Sequence, residues 1–297
     1  MLYDIRLVIR YTFGQPTGAG RQHLRLLPAW LPTQQHIVEE TLGVTPAPSE
    51  RREFLDFFGN RVIEIALAPG QKEVKFEVKA KVHRLVRTDW FDLSPPLVRL
   101  PAEIESQKSL GPHAPHHGRT ASPRVPMSDA ITAYARTAIA GAETVRQAVE
   151  ALGLALHADM TFDSEATEVD TPPEQAFAGR GGVCQDFAQI MIAGLRGVGI
   201  PAGYVSGFLR TIPPPGKPRL EGADAMHAWV RAWCGAEAGW MEYDPTNACL
   251  VGLDHIVVAY GRDYGDIAPV AGVLRLGGSQ TSKQAVDITA LDDDTAD

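Results

Sequence analysis

The sequence has few of the features that mark extracellular, membrane-spanning or redox proteins. Its three cysteines, Cys184, Cys234 and Cys249, are too few and odd in number for a disulfide framework, and none stands in a C-x-x-C pair. The opening MLYDIRLVIRYTF carries charges where a secretory signal has an unbroken apolar core. No later apolar run approaches the roughly 20 residues of a membrane span. We therefore expect a soluble protein of the reducing cytoplasm, without membrane contact.

Positive charge is also scarce. The chain has 36 acidic against 28 basic residues, a formal net charge of -8, and no basic stripe interrupts this excess. A nucleic acid is therefore not an expected partner. With 297 residues, 44% of them hydrophobic and 22% charged, the chain is long and apolar enough to form two compact domains.

Motifs for metals and cofactors are missing as well. No glycine-rich phosphate loop follows a strand pattern, and no calcium-binding run of the D-x-D-x-D-G kind is present. His113, His116 and His117 lie in a Pro-rich stretch without an acidic or cysteine partner. We therefore predict no metal site and no cofactor.

Alternating hydrophobic residues dominate the first hundred positions. Segments such as Tyr3 to Phe13 and Glu73 to Leu85 repeat with period two, and turn-forming Gly and Pro residues separate them. This pattern predicts an N-terminal antiparallel β-sandwich-like domain over residues 1–100. Residues 101–126 are rich in Pro, Gly, Ser and His, which is the composition of a linker.

From Met127 the hydrophobic period becomes helical, as in Ile131, Ala135 and Ala138. Helix and strand patterns mix from there on, which predicts an α+β fold with a second domain over residues 127–276. Residues 277–297 are polar and end in DDDTAD. They have too little apolar surface to offset the entropy lost on ordering, so we expect most of this tail to be mobile.

The segment GRGGVCQDFAQIMIAGLRGVGIPAGYVSGFL, residues 179–209, holds the first candidate for chemistry. Its glycine-rich loop leads into an apolar helix that begins near Cys184. A cysteine at a helix N-terminus meets unpaired N–H groups and the positive end of the helix dipole, which favour the thiolate. Asp186 follows about 200° further around the helix, so its carboxylate should point away from the sulfur and have a structural role, such as pairing with a backbone donor or an arginine.

A second segment, HAWVRAWCGAEAGWMEYDPTN over residues 227–247, predicts a hairpin of two strands. If the turn centres near residue 236 or 237, the numbers of opposing residues sum to about 471–474. His227 then faces the region from Asp244 to Asn247. A nucleophile, a base and an acid that orients the base, all within hydrogen-bond reach, are what covalent acyl chemistry requires.

The order Cys, His, Asp, with GVCQDFA at Cys184, HAW at His227 and GWMEYDPTN at Asp244, resembles the transglutaminase-like superfamily of papain-type thiol enzymes. The run DFFGN, residues 56–60, and its flanking strands resemble the N-terminal β-domain of a bacterial two-domain branch. The resemblance covers about residues 1–265. It implies a papain-like domain in which a helix bearing the nucleophile Cys184 packs on an antiparallel sheet bearing the general base His227 and the orienting Asp244.

The resemblance also implies attack of the Cys184 thiolate on a carbonyl of a peptide or protein substrate, giving a thioester. Water as acceptor makes a cysteine protease or amidase, and an amine makes a transglutaminase. We favour hydrolysis, because bacterial members are usually described as cysteine proteases and water is the abundant acceptor. A third interpretation is a binding module that keeps the fold without turnover, which the intact trio opposes.

Two aromatic residues are candidate substrate contacts. These are Trp229, two residues after the histidine, and Tyr204, on the strand that follows the Cys184 helix. Tryptophans beside such sites belong to the core or the cleft wall more often than to a substrate platform, so burial is the alternative. Cys234 and Cys249 are predicted to be packing residues. The sequence makes no prediction of oligomeric state.

The trio predicts a selective thiol reaction. At neutral pH, iodoacetamide should label Cys184 and leave Cys234 and Cys249 unmodified, and His227→Ala should slow labelling of Cys184 near pH 6–7. Mass spectrometry of tryptic peptides measures all three sites in one sample. A labelling rate for Cys184 that rises only above about pH 8, with or without His227, would move the binding-module interpretation ahead of the enzyme.

Overall fold

A computed structural model describes residues 1–85, 91–211 and 224–291 of the chain. Two four-stranded antiparallel sheets form a β-domain, and a five-stranded antiparallel sheet with surrounding helices forms a second domain. This mixed architecture confirms the predicted α+β fold class. None of the helices in the described ranges has the length and apolar character to cross a membrane.

The strands are β1 (Leu2–Phe13), β2 (Gly20–Leu24), β3 (Gln35–Thr45), β4 (Glu50–Leu55), β5 (Arg61–Leu67), β6 (Glu73–Arg84), β7 (Thr161–Phe162), β8 (Gly181–Gly182), β9 (Ala202–Leu209), β10 (Ala225–Trp233), β11 (Trp240–Asp244), β12 (Cys249–Leu250), β13 (His255–Gly261), β14 (Val270–Leu274) and β15 (Gln280–Leu291). The helices are α1 (Leu100–Ser106), α2 (Asp129–Ala138), α3 (Val145–Asp159), α4 (Pro173–Gly179), α5 (Cys184–Gly197) and α6 (Tyr264–Ile267). Short 3-10 turns occupy Leu97–Arg99 and Pro115–Gly118.

The β-domain consists of the sheets β15-β1-β6-β3 and β14-β2-β5-β4. Strand β1 has the alternation of a half-buried strand, with Tyr3, Ile5 and Leu7 buried and Asp4 and Arg6 exposed. Apolar side chains of β1, β5 and β6 join one hydrophobic core. Period-two patterning in the first hundred residues thus has its origin in one buried face per strand.

The C-terminal segment differs from its prediction. Strand β15, Gln280–Leu291, pairs with β1 over the whole length of that strand, so the expectation of a mobile tail is wrong for these residues. Val286 and Ile288 are buried, and the rest of the strand is held by main-chain hydrogen bonds to β1. A backbone ladder depends little on side-chain composition, so the polar sequence concealed it. The final DDDTAD lies outside the described residues.

Two predicted domain limits also need correction. Strand β14, Val270–Leu274, pairs with β2 and so belongs to the β-domain rather than to the second domain. The expected linker 101–126 is packed: Ile104 and Val125 are buried, and the carbonyl of His113 accepts a 2.8 Å hydrogen bond from Nε1 of Trp240. Prolines confer an extended path in both free and packed segments, so composition did not separate the two.

The second domain places α5 against an antiparallel sheet of order β12-β11-β10-β9-β13. Helix α5 is apolar almost all round because α2, α3 and α4 cover its outer side. In the hairpin of β10 and β11, Val230 lies opposite Tyr243, and their numbers sum to 473, within the predicted range. The sheet therefore brings the start of β10 and the end of β11 to one edge.

Strand β13 forms an edge of this sheet, and the β-domain covers it. The side-chain amide of Gln35 donates to the carbonyl of Val257 at 2.8 Å and accepts from its N–H at 2.9 Å. Asn60, in the DFFGN run, does the same with Tyr260, at 2.7 and 2.8 Å. Without these side chains, the main-chain N–H and C=O groups of Val257 and Tyr260 would be buried without these hydrogen-bond partners. The two amides thus replace a neighbouring strand and join the domains.

The pairing of β15 predicts a stability effect. Ile288→Ala should lower the free energy of unfolding by about 2–4 kcal/mol, because it removes a fully buried side chain from the core between the sheets. Urea denaturation followed by circular dichroism measures this. Lys283→Ala, at an exposed position of the same strand, is the matched control and should change stability by less than about 0.5 kcal/mol. Equal effects for both variants would mean that the strand does not pack as described.

Candidate active site

The candidate nucleophile Cys184 is the first residue of α5. The helix start is shaped by Asp186, whose buried carboxylate accepts hydrogen bonds from the N–H of Val183 at 2.8 Å and the hydroxyl of Thr167 at 2.6 Å. This confirms the expected pairing with a backbone donor. Gly182 is required beneath it, because a Cβ there would lie 2.5 Å from the Asp186 carboxylate. Helix geometry leaves the N–H of Cys184 without an intrahelical acceptor, free to bind a substrate oxygen.

His227 links the other two predicted residues. Its Nε2 lies 2.7 Å from Oδ2 of Asp244, and the ring also interacts with Cys184 at the start of α5. Because Nε2 is committed to the aspartate, Nδ1 is the nitrogen left for the sulfur. Burial disfavours a charged ring, but the interactions with Asp244 and Cys184 outweigh it and raise the pKa of His227 to about 10. The imidazolium is therefore the favoured form at neutral pH.

The Asp244 carboxylate is fully buried and accepts five hydrogen bonds. Oδ2 accepts hydrogen bonds from Nε2 of His227, from Nε2 of His255 at 3.1 Å and from Nδ2 of Asn247 at 2.7 Å. Oδ1 receives the backbone N–H groups of Thr246 and Asn247. Burial favours the neutral acid, but these donors outweigh it and hold the pKa of Asp244 well below its usual range. The carboxylate is thus ionised and fixed in orientation.

Sequence reasoning missed His255, which the structure adds to the trio. This histidine begins the apolar strand HIVVAYG just as His227 precedes the apolar AWV, so the same local pattern marks both residues. Strand β13 is separated from β11 by β10 and β9 in the sheet, and no local signal gives the register across that distance. The contact with Asp244 therefore depends on the tertiary arrangement and not on sequence spacing.

The structure buries both candidate substrate contacts, Trp229 and Tyr204. Trp229 is fully buried, and its Nε1 donates a 2.7 Å hydrogen bond to Glu242. Its ring lies over β9 at Gly207, where a Cβ would come within 2.3 Å of it. Tyr204, opposite Val230 in the sheet, is also buried, and burial raises its pKa well above the usual value. Both are core residues, the alternative that burial statistics favour for aromatics beside a site.

The other two cysteines lack the surroundings of Cys184. Burial raises the pKa of the Cys234 thiol to about 12 and that of Cys249 to about 11. Both therefore stay protonated near neutral pH. All three cysteines are free thiols. The predicted selectivity of alkylation thus has a physical basis in the raised pKa values of Cys234 and Cys249 as well as in the position of Cys184 at the helix start.

His227, Asp244 and His255 also offer three potential metal ligands, with their donor atoms within 4.8 Å of one another. In a tetrahedral zinc site, bonds of about 2.0–2.1 Å place ligand atoms about 3.3 Å apart. Both imidazole nitrogens instead approach one oxygen, at 2.7 and 3.1 Å, which is the spacing of N–H···O hydrogen bonds. Hydrogen bonding explains the geometry better than metal coordination does.

Comparison with known proteins identifies the family. The transglutaminase-like superfamily core matches residues 132–245, which include Cys184, His227 and Asp244. The bacterial transglutaminase-like N-terminal region matches residues 3–83. The chain therefore belongs to the transglutaminase-like superfamily and carries the N-terminal domain of its bacterial branch.

Three relatives place the chain more closely. An uncharacterized protein of Mycobacterium tuberculosis is 31% identical over 253 residues, which are 81% of this chain and 77% of that protein. The crystal structure of a candidate cysteine protease from Cytophaga hutchinsonii superposes with a TM-score of 0.75 at 24% identity, covering 98% of this chain and 91% of the other. A protein-glutamine gamma-glutamyltransferase of Pseudomonas aeruginosa is 37% identical over 87 residues, 29% of this chain and 13% of that protein. The second of these confirms the fold over nearly the whole chain.

The buried ion pair predicts how stability depends on pH. The raised pKa of His227 gives a contribution that is full below its ordinary value of about 6.5 and is lost as pH rises through about 10. The lowered pKa of Asp244 gives a contribution that is present above about 3.9 and is lost as pH falls. Asp244→Asn should therefore destabilise the protein most near pH 6, by about 3 kcal/mol. The difference from wild type, measured by urea denaturation, should shrink towards pH 10 and towards pH 3.

The matched control is Asp170→Asn, which removes an exposed carboxylate paired with Arg124 at the surface. Exposed pairs contribute little, so this variant should follow the wild-type stability at every pH. A destabilisation by Asp244→Asn that stays constant from pH 6 to 10 would contradict an ion pair between Asp244 and His227.

Proposed function

We propose that the protein is a thiol-dependent acyl-transfer enzyme that acts on peptide or carboxamide bonds through Cys184, His227 and Asp244. One observation carries this proposal: the His227 ring, hydrogen-bonded to Asp244 at 2.7 Å, also interacts with Cys184 at the start of α5. A base between a nucleophile and an orienting acid is the arrangement of covalent acyl catalysis. Membership of the transglutaminase-like superfamily supports it.

The reaction begins with attack of the Cys184 sulfur on the substrate carbonyl carbon. The carbonyl electrons move to oxygen, and on collapse the C–N bond breaks while His227 gives its proton to the departing amine. A thioester on Cys184 remains, with His227 neutral. Water or an amine then attacks the thioester, His227 takes its proton, and the acyl group leaves as an acid or as a new amide.

Two fixed features stabilise the charges of this reaction. The N–H of Cys184, at the start of α5, points at the position where an oxyanion develops on the carbonyl oxygen. The ionised Asp244 stabilises the imidazolium and holds its Nε2, so that Nδ1 stays directed at the sulfur. Both groups are in place before substrate binds, so little reorganisation accompanies the reaction.

Hydrolysis is the proposed outcome, and the substrate is a peptide or protein. Water is the acceptor at the highest concentration, and it prevails unless the thioester is shielded from it. Transfer to an amine is the second candidate, favoured by the local similarity to a protein-glutamine gamma-glutamyltransferase. A reducing compartment such as the cytoplasm suits either reaction, because the nucleophile must remain a free thiol.

A competition assay tests the function and separates the two outcomes. Blocked glutaminyl peptides and an unfolded protein are incubated with the enzyme, with and without a fluorescent primary amine, and products are identified by mass spectrometry. We expect free acids or cleaved peptides, with amine adducts as a minority. Cys184→Ala should lower kcat/KM by at least about 10³-fold, because the covalent step is lost.

Cys249→Ala is the matched control, since that thiol lies outside the trio and should leave the rate unchanged. Added EDTA should also leave the rate unchanged. This checks that hydrogen bonds, and not a metal ion, hold His227, Asp244 and His255 together. Amine adducts as the main product would establish a transglutaminase. Turnover that survives Cys184→Ala, or a wild-type Cys184 that alkylates no faster than an ordinary thiol, would refute the proposed chemistry.

A further inference from the structure

His255 is a buried histidine on the candidate triad that the chemistry above does not use. Its Nε2 lies 3.1 Å from Oδ2 of Asp244, the oxygen that also accepts from His227. The residue is 5% exposed, and its ring meets Trp229 edge to face with centroids 5.2 Å apart. It contacts the aspartate and not the nucleophile, so any role it has must act through Asp244.

The hydrogen bonds of His255 define its protonation. Its Nδ1 accepts the backbone N–H of Gly252 at 3.4 Å, and an acceptor nitrogen carries no proton. The proton therefore sits on Nε2 and is donated to Asp244. In this tautomer His255 donates to the carboxylate through Nε2, whereas the imidazolium of His227 supplies a positive charge. The two histidines on one oxygen thus have different tasks.

The β-domain holds the segment that carries His255. The Tyr3 hydroxyl donates to Asp254 at 3.0 Å, and Arg84 donates to the carbonyl of Gly252 at 3.1 Å. Gln35 bonds both main-chain groups of Val257. These contacts come from β1, β6 and β3 and fix residues on both sides of His255. The β-domain therefore helps to fix the segment that carries His255, which also pairs with β9, while Asp244 belongs to the other domain.

We propose that His255 is a positioning residue, which the β-domain holds against Asp244 so that Oδ2 stays aligned with His227. The inference rests on the proposed function and gives the N-terminal domain a share in it. Removing the Nε2 donor would leave the carboxylate freer to turn and less able to hold the imidazolium. A histidine that merely fills space beside Trp229 would have no such effect on the thiol.

The test measures alkylation of Cys184 by iodoacetamide from pH 5 to 10, which requires no substrate. His255→Phe keeps a ring and removes the donor, and it should slow labelling at pH 6 by about tenfold, the usual effect of one hydrogen bond to a charged group. At pH 10, where a thiol ionises without help, the rate should equal that of the wild type. His255→Gln, which keeps an N–H donor, should recover much of the rate at pH 6.

A double-mutant comparison separates positioning from general damage. In an Asp244→Asn background, His255→Phe should slow labelling no further, because the group it positions is already absent. Loss of rate at both pH 6 and pH 10, or an equal loss in the Asp244→Asn background, would mean a structural role only and would overturn the inference. A wild-type profile that lacks fast labelling at pH 6 would instead refute the proposed function.

The share of the β-domain is tested with Tyr3→Phe, which removes the bond to Asp254 and keeps the ring. It should slow labelling at pH 6 by about twofold, since only one of the several hydrogen bonds that hold this segment is lost. Tyr134→Phe is the matched control, because its hydroxyl binds Asp159 at 2.8 Å, outside the contacts that hold His255. Equal rates for the two variants would mean that the β-domain does not help to position His255.

Discussion

The geometry of the site depends on one buried carboxylate, that of Asp244. An ionised group without access to water is strongly unfavourable unless hydrogen bonds replace its hydration. Five donors do so here: two imidazoles and one side-chain amide converge with two backbone N–H groups. Because every donor comes from a fixed element, the charge and its direction are both determined. The imidazole of His227 is then held by its Nε2, which leaves its other nitrogen available to Cys184.

The same constraint explains why two domains are needed. The donors to Asp244 come from β10, from the turn after β11 and from the start of β13. Strand β13 is an edge strand, and a bulge between Val257 and Ala259 interrupts its pairing with β9. Edge strands are easily displaced unless their free groups are satisfied. Gln35 and Asn60 satisfy them, so the β-domain stabilises the sheet edge beside the site.

Much of the site could be predicted from local sequence. A glycine-rich loop before an apolar run fixes the start of α5, and with it the place of Cys184. Strand alternation and the short loop between β10 and β11 fix the hairpin register, and so bring His227 near Asp244. These predictions succeeded because each depends on contacts between residues close in the chain. The order of motifs added the family, and the family added the fold.

Only the tertiary structure decided the remaining features. The strand β15 is built by main-chain pairing with β1, nearly three hundred residues away, and its polar side chains gave no sign of this. The burial of Trp229 and Tyr204 depends on what packs over their strands, which alternation does not specify. His255 reaches Asp244 across two intervening strands. The sequence by itself determined which residues are candidates for the proposed chemistry and how their local elements form. Long-range pairing and packing decided what surrounds them, because those contacts join residues that are distant in the chain.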